Sequence, residues 1–115
     1  TEKIQGKNFI IINAKDNIKD TIAGTIASIL SSSSLYEEGT IIITMAYYEE
    51  KIKISARIVG ENGRNLREIL SKVIDEIGGE VGGHQYAAGC MITKNKEQEF
   101  IELLKKNLEL GVVKI

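Results

Sequence analysis

One short stretch, residues 82–89, holds the side chains with the most distinctive chemistry. Gly82-Gly83-His84 leads into Gln85-Tyr86-Ala87-Ala88-Gly89, and His84 is the only histidine of the chain. Glycine allows positive φ angles and lets a ligand approach the backbone closely. Successive N–H groups in such a turn at a helix start form an anion nest. The stretch therefore predicts a phosphate site; the alternative is a plain glycine turn between a helix and a strand, with His84 exposed.

A second candidate is Arg57, which lies on a segment that alternates in polarity. Apolar residues of 51–59 occupy one face of the predicted strand, and Lys53, Ser55 and Arg57 share the other. A planar guanidinium suits phosphate oxygens. The alternative is an ordinary solvated sheet face.

The charge distribution favours a local positive field over a broad nucleic-acid-coating surface. The net charge is −1, whereas proteins that coat nucleic acid carry a clear positive excess. Between residues 51 and 72, six basic residues accompany two glutamates. Arg64 and Arg67 lie around a predicted helix start, where cations are disfavoured unless an anion binds nearby. Lys53, Arg64 and Arg67 are therefore predicted accessory phosphate contacts.

The inventory of reactive side chains argues against catalysis by this chain alone. A single His84 and a single Cys90 cannot build a multi-histidine metal site, and no Asp-x-Asp or His-x-x-Glu cluster occurs. Hydrolysis of a phosphodiester normally needs metals or an equivalent charge clamp. We expect no catalytic residue, no metal site and no cofactor here, and a chain that binds phosphate without cleaving it.

The bulk properties predict one domain, residues 1–115, large enough to bury a core. There is no apolar run near the length that spans a bilayer and no signal peptide, so we expect no membrane partner. A lone Cys90 fits a reducing compartment, and we expect a cytoplasmic protein.

The hydrophobic pattern predicts an α/β fold, a mixed β-sheet with helices packed on it. The first helix would be capped by Asp16 or Asn17 and end in the serine run 31–34. Its apolar residues at helical spacing are Ile18, Ile22, Ile26, Ile29 and Leu30. The second helix would begin with a capping box of Asn65 and Glu68 and stop at Gly78-Gly79, after inward-facing Leu66, Ile69, Leu70, Val73 and Ile77. The third would run over 96–110 with Phe100, Leu103, Leu104 and Leu108 inward. Strands are predicted at 7–14, 40–48, 51–59 and around 90–92, with 40–48 and 51–59 in an antiparallel hairpin and 112–115 as an added edge strand.

Three separated elements resemble a known family. The segments SARIVGENGRNLREIL and GGHQYAAGCMI are similar to the DHHA1 domain, the C-terminal substrate-binding domain of DHH phosphoesterases. The matching elements are Ser55-Ala56-Arg57, Asn65-Leu66-Arg67-Glu68 and residues 82–89, and the likeness covers about residues 40–110. Archaeal RecJ-like single-strand exonucleases look most similar.

The resemblance implies that Arg57, Gly82, Gly83 and His84 hold the terminal phosphate and sugar of single-stranded DNA or RNA. Ser55, Ala87, Ala88 and Gly89 complete the site expected from the family motif. The phosphate would be presented to manganese or magnesium in a DHH catalytic domain of the same, longer chain, with roles in DNA replication or repair.

The resemblance also leaves two other functions open. Val81 stands where the family pattern has its first glycine, and crowding by Val81 would suit an inactive relative. Such relatives act as replisome scaffolds beside the GINS complex and the MCM helicase. A third function is recognition of short oligonucleotides or of a nucleotide such as phosphoadenosine phosphate.

Overall fold

The computed structural model describes residues 1–61 and 63–110. Its elements form a mixed sheet with helices on both faces, which confirms the predicted α/β class. The strands are β1 (Glu2–Gly6), β2 (Phe9–Lys15), β3 (Ile41–Tyr48), β4 (Lys51–Ile58), β5 (Glu80–His84) and β6 (Ala87–Thr93). The helices are α1 (Asp20–Ser32), α2 (Leu66–Ile77) and α3 (Glu97–Leu110), and a 3-10 turn, Lys94–Lys96, precedes α3.

The sheet has the strand order β1-β2-β3-β4-β6-β5. Only β2 and β3 are parallel, and α1 forms the crossover that a parallel pair requires. The other neighbouring pairs are antiparallel, including the predicted β3–β4 hairpin. This order places β5 at one edge of the sheet, two strands from β4.

The helices divide the sheet into two faces with separate apolar clusters. On the α1 face, Ala27 packs with Ile10, Ile42 and Val59. On the α2–α3 face, the larger core includes Met45, Ile54, Leu70, Val73, Phe100 and Leu104. Because side chains alternate along a strand, every second residue of β4 points away from this larger core. Arg57 pairs with Ile42 and therefore lies on the α1 face.

Helix α1 differs from its predicted cap. It begins at Asp20, and Lys19 at the N-cap makes no side-chain capping bond. The predicted cap at Asp16 or Asn17 is therefore wrong; Asn17 Nδ2 donates to Thr1 Oγ1 instead (2.9 Å).

The buried side of α1 carries small residues rather than the isoleucine series. Ala23 and Ala27 are fully buried, whereas Ile22 is 42% and Ile29 62% exposed. Small side chains let the helix lie close to the sheet, and Thr44 Oγ1 donates to Ala23 O across this contact (2.7 Å). The apolar series has the predicted helical period, and of its members Leu30 packs against the cluster on the α1 face.

Other element bounds shift for local reasons. The hydrophobic pattern does not predict β1, which pairs with β2 through a turn at Lys7-Asn8, where Asn8 has a φ of 70°. The strand predicted to begin at Lys7 therefore begins at Phe9. In α3, Ile101 is buried and Leu103 only partly buried. The edge strand predicted at 112–115 lies outside the described residues.

A polar cluster fixes the start of α3 against the sheet. Glu97 accepts from Asn13 Nδ2 and from the Tyr47 hydroxyl, both at 2.6 Å. Burial, together with the hydrogen bond to Glu97, raises the pKa of Tyr47 to about 12. Asn13 is 1% exposed, so these bonds satisfy a buried amide. No helix of residues 1–61 and 63–110 is long and apolar enough to cross a bilayer.

Candidate phosphate-binding site

The glycine-rich stretch is an edge strand, not a turn at a helix start. Residues 80–84 form β5 and pair with β6, with Gly82 opposite Gly89 and His84 opposite Ala87. Gln85 and Tyr86 make the connecting turn, and another strand follows. The predicted helix-start nest is therefore wrong, because the backbone of 80–84 is used for strand pairing.

Gly83 shows why glycine is required in this strand. Its φ is 95°, and a Cβ at this position would lie 2.4 Å from Ala87 O and 2.6 Å from Ala88 Cα. Any side chain here would collide with the backbone of β6. Gly83 therefore allows a tight β5–β6 hairpin that fixes the position of His84.

The start of α2 holds this hairpin from the opposite face. Asn65 caps the helix as predicted, because its side-chain oxygen accepts from Glu68 N (3.1 Å). The next residue, Leu66, donates its free backbone N–H to Gln85 O (2.8 Å). Arg67 Nη1 donates to Gly83 O at the edge of the sheet (2.8 Å). Two of the three sequence elements are thus joined by direct hydrogen bonds.

Pairing of β4, β6 and β5 brings the third element beside them. Residues opposite one another in paired strands point to the same face, so three cross-strand rows form on the α1 face. Strands lie about 4.8 Å apart, which places the Arg57 and His84 Cα atoms roughly 10 Å apart with Ala87 between them. From β4 to β5, the first row is Arg57–Ala87–His84, the second Ser55–Gly89–Gly82, and the third Lys53–Met91–Glu80.

These three rows form a shallow trough, and the name is used below for these nine residues. Its floor is made of small residues, Ala87, Gly89 and Gly82, in the first two rows. A Cβ on Gly82 would meet no atom within 4 Å, so the space above it is open. Helix α1 forms one wall: a Cβ on Gly24 would lie 3.3 Å from Ser55 Oγ. Ser55 lies under this wall and is 8% exposed.

Two donors flank the first row. His84 is exposed, and its Nδ1 accepts from Tyr86 N in a long bond of 3.4 Å. The other ring nitrogen, Nε2, makes no hydrogen bond within the described residues and can donate to a ligand. Arg57 is half-buried, and no hydrogen bond or ion pair of its guanidinium is found among residues 1–61 and 63–110. The first row can therefore offer charged and neutral donors to a single anion.

Four predicted site residues lie outside the trough. Gly83 pairs with Ala88, on the face of the hairpin opposite the trough. Ala88 points to the α2–α3 face and belongs to the core. Arg64 Nη1 donates to Leu108 O at the end of α3 (3.0 Å), and burial lowers the pKa of Arg64. Arg67 is bound to Gly83 O. Arg64 and Arg67 therefore hold the scaffold of the trough in place.

Val81 does not crowd the trough. It pairs with Cys90 and packs against the larger core on the α2–α3 face. A side chain in place of the family's first glycine thus adds to the core and leaves the α1 face open.

Cys90 is a buried thiol on the α2–α3 face. Burial raises the pKa of the Cys90 thiol to about 12, so it is no nucleophile at neutral pH. Within residues 1–61 and 63–110, no group of three or more His, Cys, Asp or Glu side chains could hold a metal ion. The trough offers a guanidinium and an imidazole that can bind and orient an anion.

Sequence reasoning misses two residues that shape the trough, Met91 and Glu80. The available signal is the alternation of residues 87–93, of which only the part around 90–92 is predicted as a strand. With β6 and β5 aligned through Gly82 and Gly89, the next row brings Met91 and Glu80 to the same face.

The order of these elements agrees with a family comparison. A family model described as the DHHA1 domain matches residues 6–110. The chain belongs to the DHHA1 family. This domain occurs in the DHH superfamily, as the resemblance of the sequence indicated.

Three solved structures share the fold at low identity. The C-Ala domain of alanyl-tRNA synthetase from Aquifex aeolicus has a TM-score of 0.73 at 17% identity, covering 94% of this chain and 98% of that one. A DHH-domain protein described as a member of a family of ribosomal proteins has a TM-score of 0.60 at 21% identity. The match covers 99% of this chain and 28% of that one. The pGpG-specific phosphodiesterase PggH from Vibrio cholerae has a TM-score of 0.59 at 14% identity. The match covers 95% of this chain and 36% of that one.

The last two coverages show that the chain spans about a third or less of those two DHH-related chains. A search of curated proteins gives no match to the sequence. At these identities the likeness shows the fold and not the substrate.

Proposed function

We propose that this chain is the substrate-binding part of a DHH phosphoesterase, and that its trough holds the terminal phosphate of a single-stranded nucleic acid. One observation carries the proposal: Arg57 and His84, far apart in sequence, flank Ala87 in a single cross-strand row on an open face. The family expectation for these residues and their placement support the same ligand.

The chemistry of the first row suits a terminal phosphate. Such a phosphate carries up to two charges and three oxygens, so it can accept from a guanidinium and an imidazole at once. The Ala87 methyl between them is small enough for the phosphate to sit low against the sheet. A phosphodiester within a strand has only one charge and two free oxygens, so the row favours a strand end.

The catalytic part of such an enzyme lies outside the described residues. A DHH domain would supply manganese or magnesium to polarise the phosphodiester. The residues of this chain bind and orient the phosphate and keep it on the α1 face. A RecJ-like exonuclease acting in DNA replication or repair is the form of this enzyme that we propose.

The test compares trough variants on phosphorylated ligands. Arg57→Ala should weaken binding by about 1.5–3 kcal/mol, the usual value of a hydrogen bond to a charged group. His84→Ala should act in the same direction, and the double variant should lose less than the sum, because both side chains hold one phosphate. Suitable ligands are tetranucleotides with a 5′-phosphate, a 3′-phosphate or neither.

Lys72→Ala is the matched control for loss of a positive charge, because Lys72 is exposed on α2 and away from the trough. It should leave phosphate-dependent binding unchanged. The proposal is wrong if Arg57→Ala and Lys72→Ala have equal effects, or if the terminal phosphate adds nothing to binding.

A second candidate is a non-catalytic replisome scaffold that binds GINS or MCM. The observation in its favour is the exposed apolar side of α1, where Ile22 and Ile29 face solvent. This function predicts partner binding that Ile22→Ser weakens and that Arg57→Ala leaves unchanged. Phosphate-dependent binding with no partner binding would exclude it.

Short oligonucleotides, or a nucleotide such as phosphoadenosine phosphate, form a further substrate class for the same trough. A pGpG-specific phosphodiesterase shares this fold, and we therefore include dinucleotides among the ligands to be compared. Equal affinity for di- and tetranucleotides with the same terminal phosphate would favour this class over longer strands.

A further inference from the structure

We infer that the third row of the trough, Lys53, Met91 and Glu80, forms a nucleobase subsite at the end of the glycine floor. This inference rests on the proposed function and extends it to the base of the terminal nucleotide. The observation behind it is the abrupt change from small to large side chains along β6 and β5.

The change in side-chain size is given by the strand register. Ala87, Gly89 and Gly82 leave the floor of the first two rows without bulk, and Met91 and Glu80 follow at the next position of each strand. Met91 is half-buried and Glu80 exposed. The first and third rows are four residues apart along β4, about 13 Å. A ligand whose phosphate lies at Arg57 would thus extend along the glycine floor and meet Met91.

The chemistry of the third row suits a base and not a second phosphate. Met91 offers a polarizable thioether, which makes favourable contacts with aromatic rings. Lys53 can donate to ring acceptors, and Glu80 can accept from ring N–H or amino groups. The carboxylate of Glu80 offsets part of the attraction that Lys53 and Lys51, on the same face of the sheet, would exert on a further phosphate.

The small floor and the larger side chains of the third row together define the ligand class. The open space above Gly82 leaves room for a flat ring or a sugar close to the sheet. A nucleic acid whose terminal phosphate lies at the first row would reach Met91 and Glu80 at the end of the glycine floor. The trough therefore takes a nucleoside monophosphate unit at the end of a strand, with the base against Met91.

Methionine methyl signals give a direct test, because the chain has two methionines. Met45 is fully buried on the α2–α3 face and serves as the internal control. In a titration of ¹³C-methyl-methionine protein, adenosine 5′- or 3′-monophosphate should move the Met91 methyl signal through the ring current of the base. Ribose 5-phosphate should leave that signal near its free position, and Met45 should not move with any ligand.

Affinities complete the test. At least one adenosine monophosphate should bind about five- to tenfold more tightly than ribose 5-phosphate, and Met91→Ala should remove most of this difference. Glu80→Lys should increase the affinity for a dinucleotide relative to the mononucleotide. Phosphate ligands that bind with no base-dependent shift of Met91 would overturn the subsite and leave the proposed function standing. If wild-type protein binds none of these ligands, the proposed function itself fails.

Discussion

The open space above Gly82 allows a test that adds atoms rather than removing them. A Cβ at Gly82 would meet no atom within 4 Å, and its φ is not in the left-handed region. Gly82→Leu should therefore fold and place a branched side chain across the middle of the trough. Replacing glycine also restricts the unfolded chain, so we expect the free energy of unfolding to change by less than about 1 kcal/mol.

Binding should respond far more strongly than stability. A leucine in the second row would keep a ligand from reaching Arg57 and His84 together. Loss of the Arg57 contact alone corresponds to about 1.5–3 kcal/mol, and each 1.4 kcal/mol is a factor of about ten in affinity. We therefore expect at least a roughly tenfold loss for a phosphorylated tetranucleotide, measured by NMR titration at low salt, with urea unfolding measured in parallel.

Gln5→Leu is the matched control for Gly82→Leu. Gln5 is exposed on β1, the opposite edge strand, and its pairing with Ile10 places it on the same face of the sheet. It adds the same side chain far from the trough and should leave binding unchanged. A folded Gly82→Leu variant with wild-type affinity would show that the ligand does not lie on this floor. If leucine disturbs folding, Gly82→Ser keeps the test and should give a smaller loss of affinity.

Four further outcomes follow from charge, burial and hydrogen bonding. Single strands should bind with a Kd of about 10⁻⁴ to 10⁻⁶ M at physiological salt, with a shallow salt slope because few phosphates are contacted; a steep slope would indicate a wider surface. Purified protein should show no nuclease activity with manganese or magnesium, and activity that follows the chain through independent purifications would contradict this. Burial raises the pKa of Cys90 from 9.0 to about 12. The stability that the neutral thiol contributes is therefore present below pH 9 and lost as the pH rises toward 12. The free energy of unfolding of Cys90→Ala should depend less on pH in this window than that of the wild type. Arg67→Ala should accelerate hydrogen exchange in β5, whereas Arg64→Ala should accelerate it at the end of α3. If both variants accelerated exchange at the same amides, the two arginines would not hold separate parts of the fold.

Alternation and capping made part of the fold predictable. β4 alternates cleanly between an apolar face and Lys53, Ser55 and Arg57, so its two faces follow from the sequence. The N-cap at Asn65 and the apolar face of α2 were confirmed for the same reason, since the signals are local.

The buried face of a helix and the pairing of strands were less predictable, because both depend on contacts between residues that are distant in sequence. α1 has isoleucines at helical spacing, but its contact with the sheet selects Ala23 and Ala27, since only small side chains allow that approach. The glycine stretch indicated a turn, and tertiary pairing with β6 makes it a strand. No local pattern encodes that choice.

The placement of Arg57 beside His84 depends on that same pairing. Residues 82–84 in a helix-start turn would direct their N–H groups at a ligand but would fix no distance to Arg57. As an edge strand paired with β6, they are two strand spacings from β4, and the register then determines which side chains share a row. A shift of β5 by one residue would turn His84 to the opposite face. The bonds from Leu66 and Arg67 to the hairpin oppose such a shift, so the start of α2 contributes to the site by fixing register, without needing to touch the ligand.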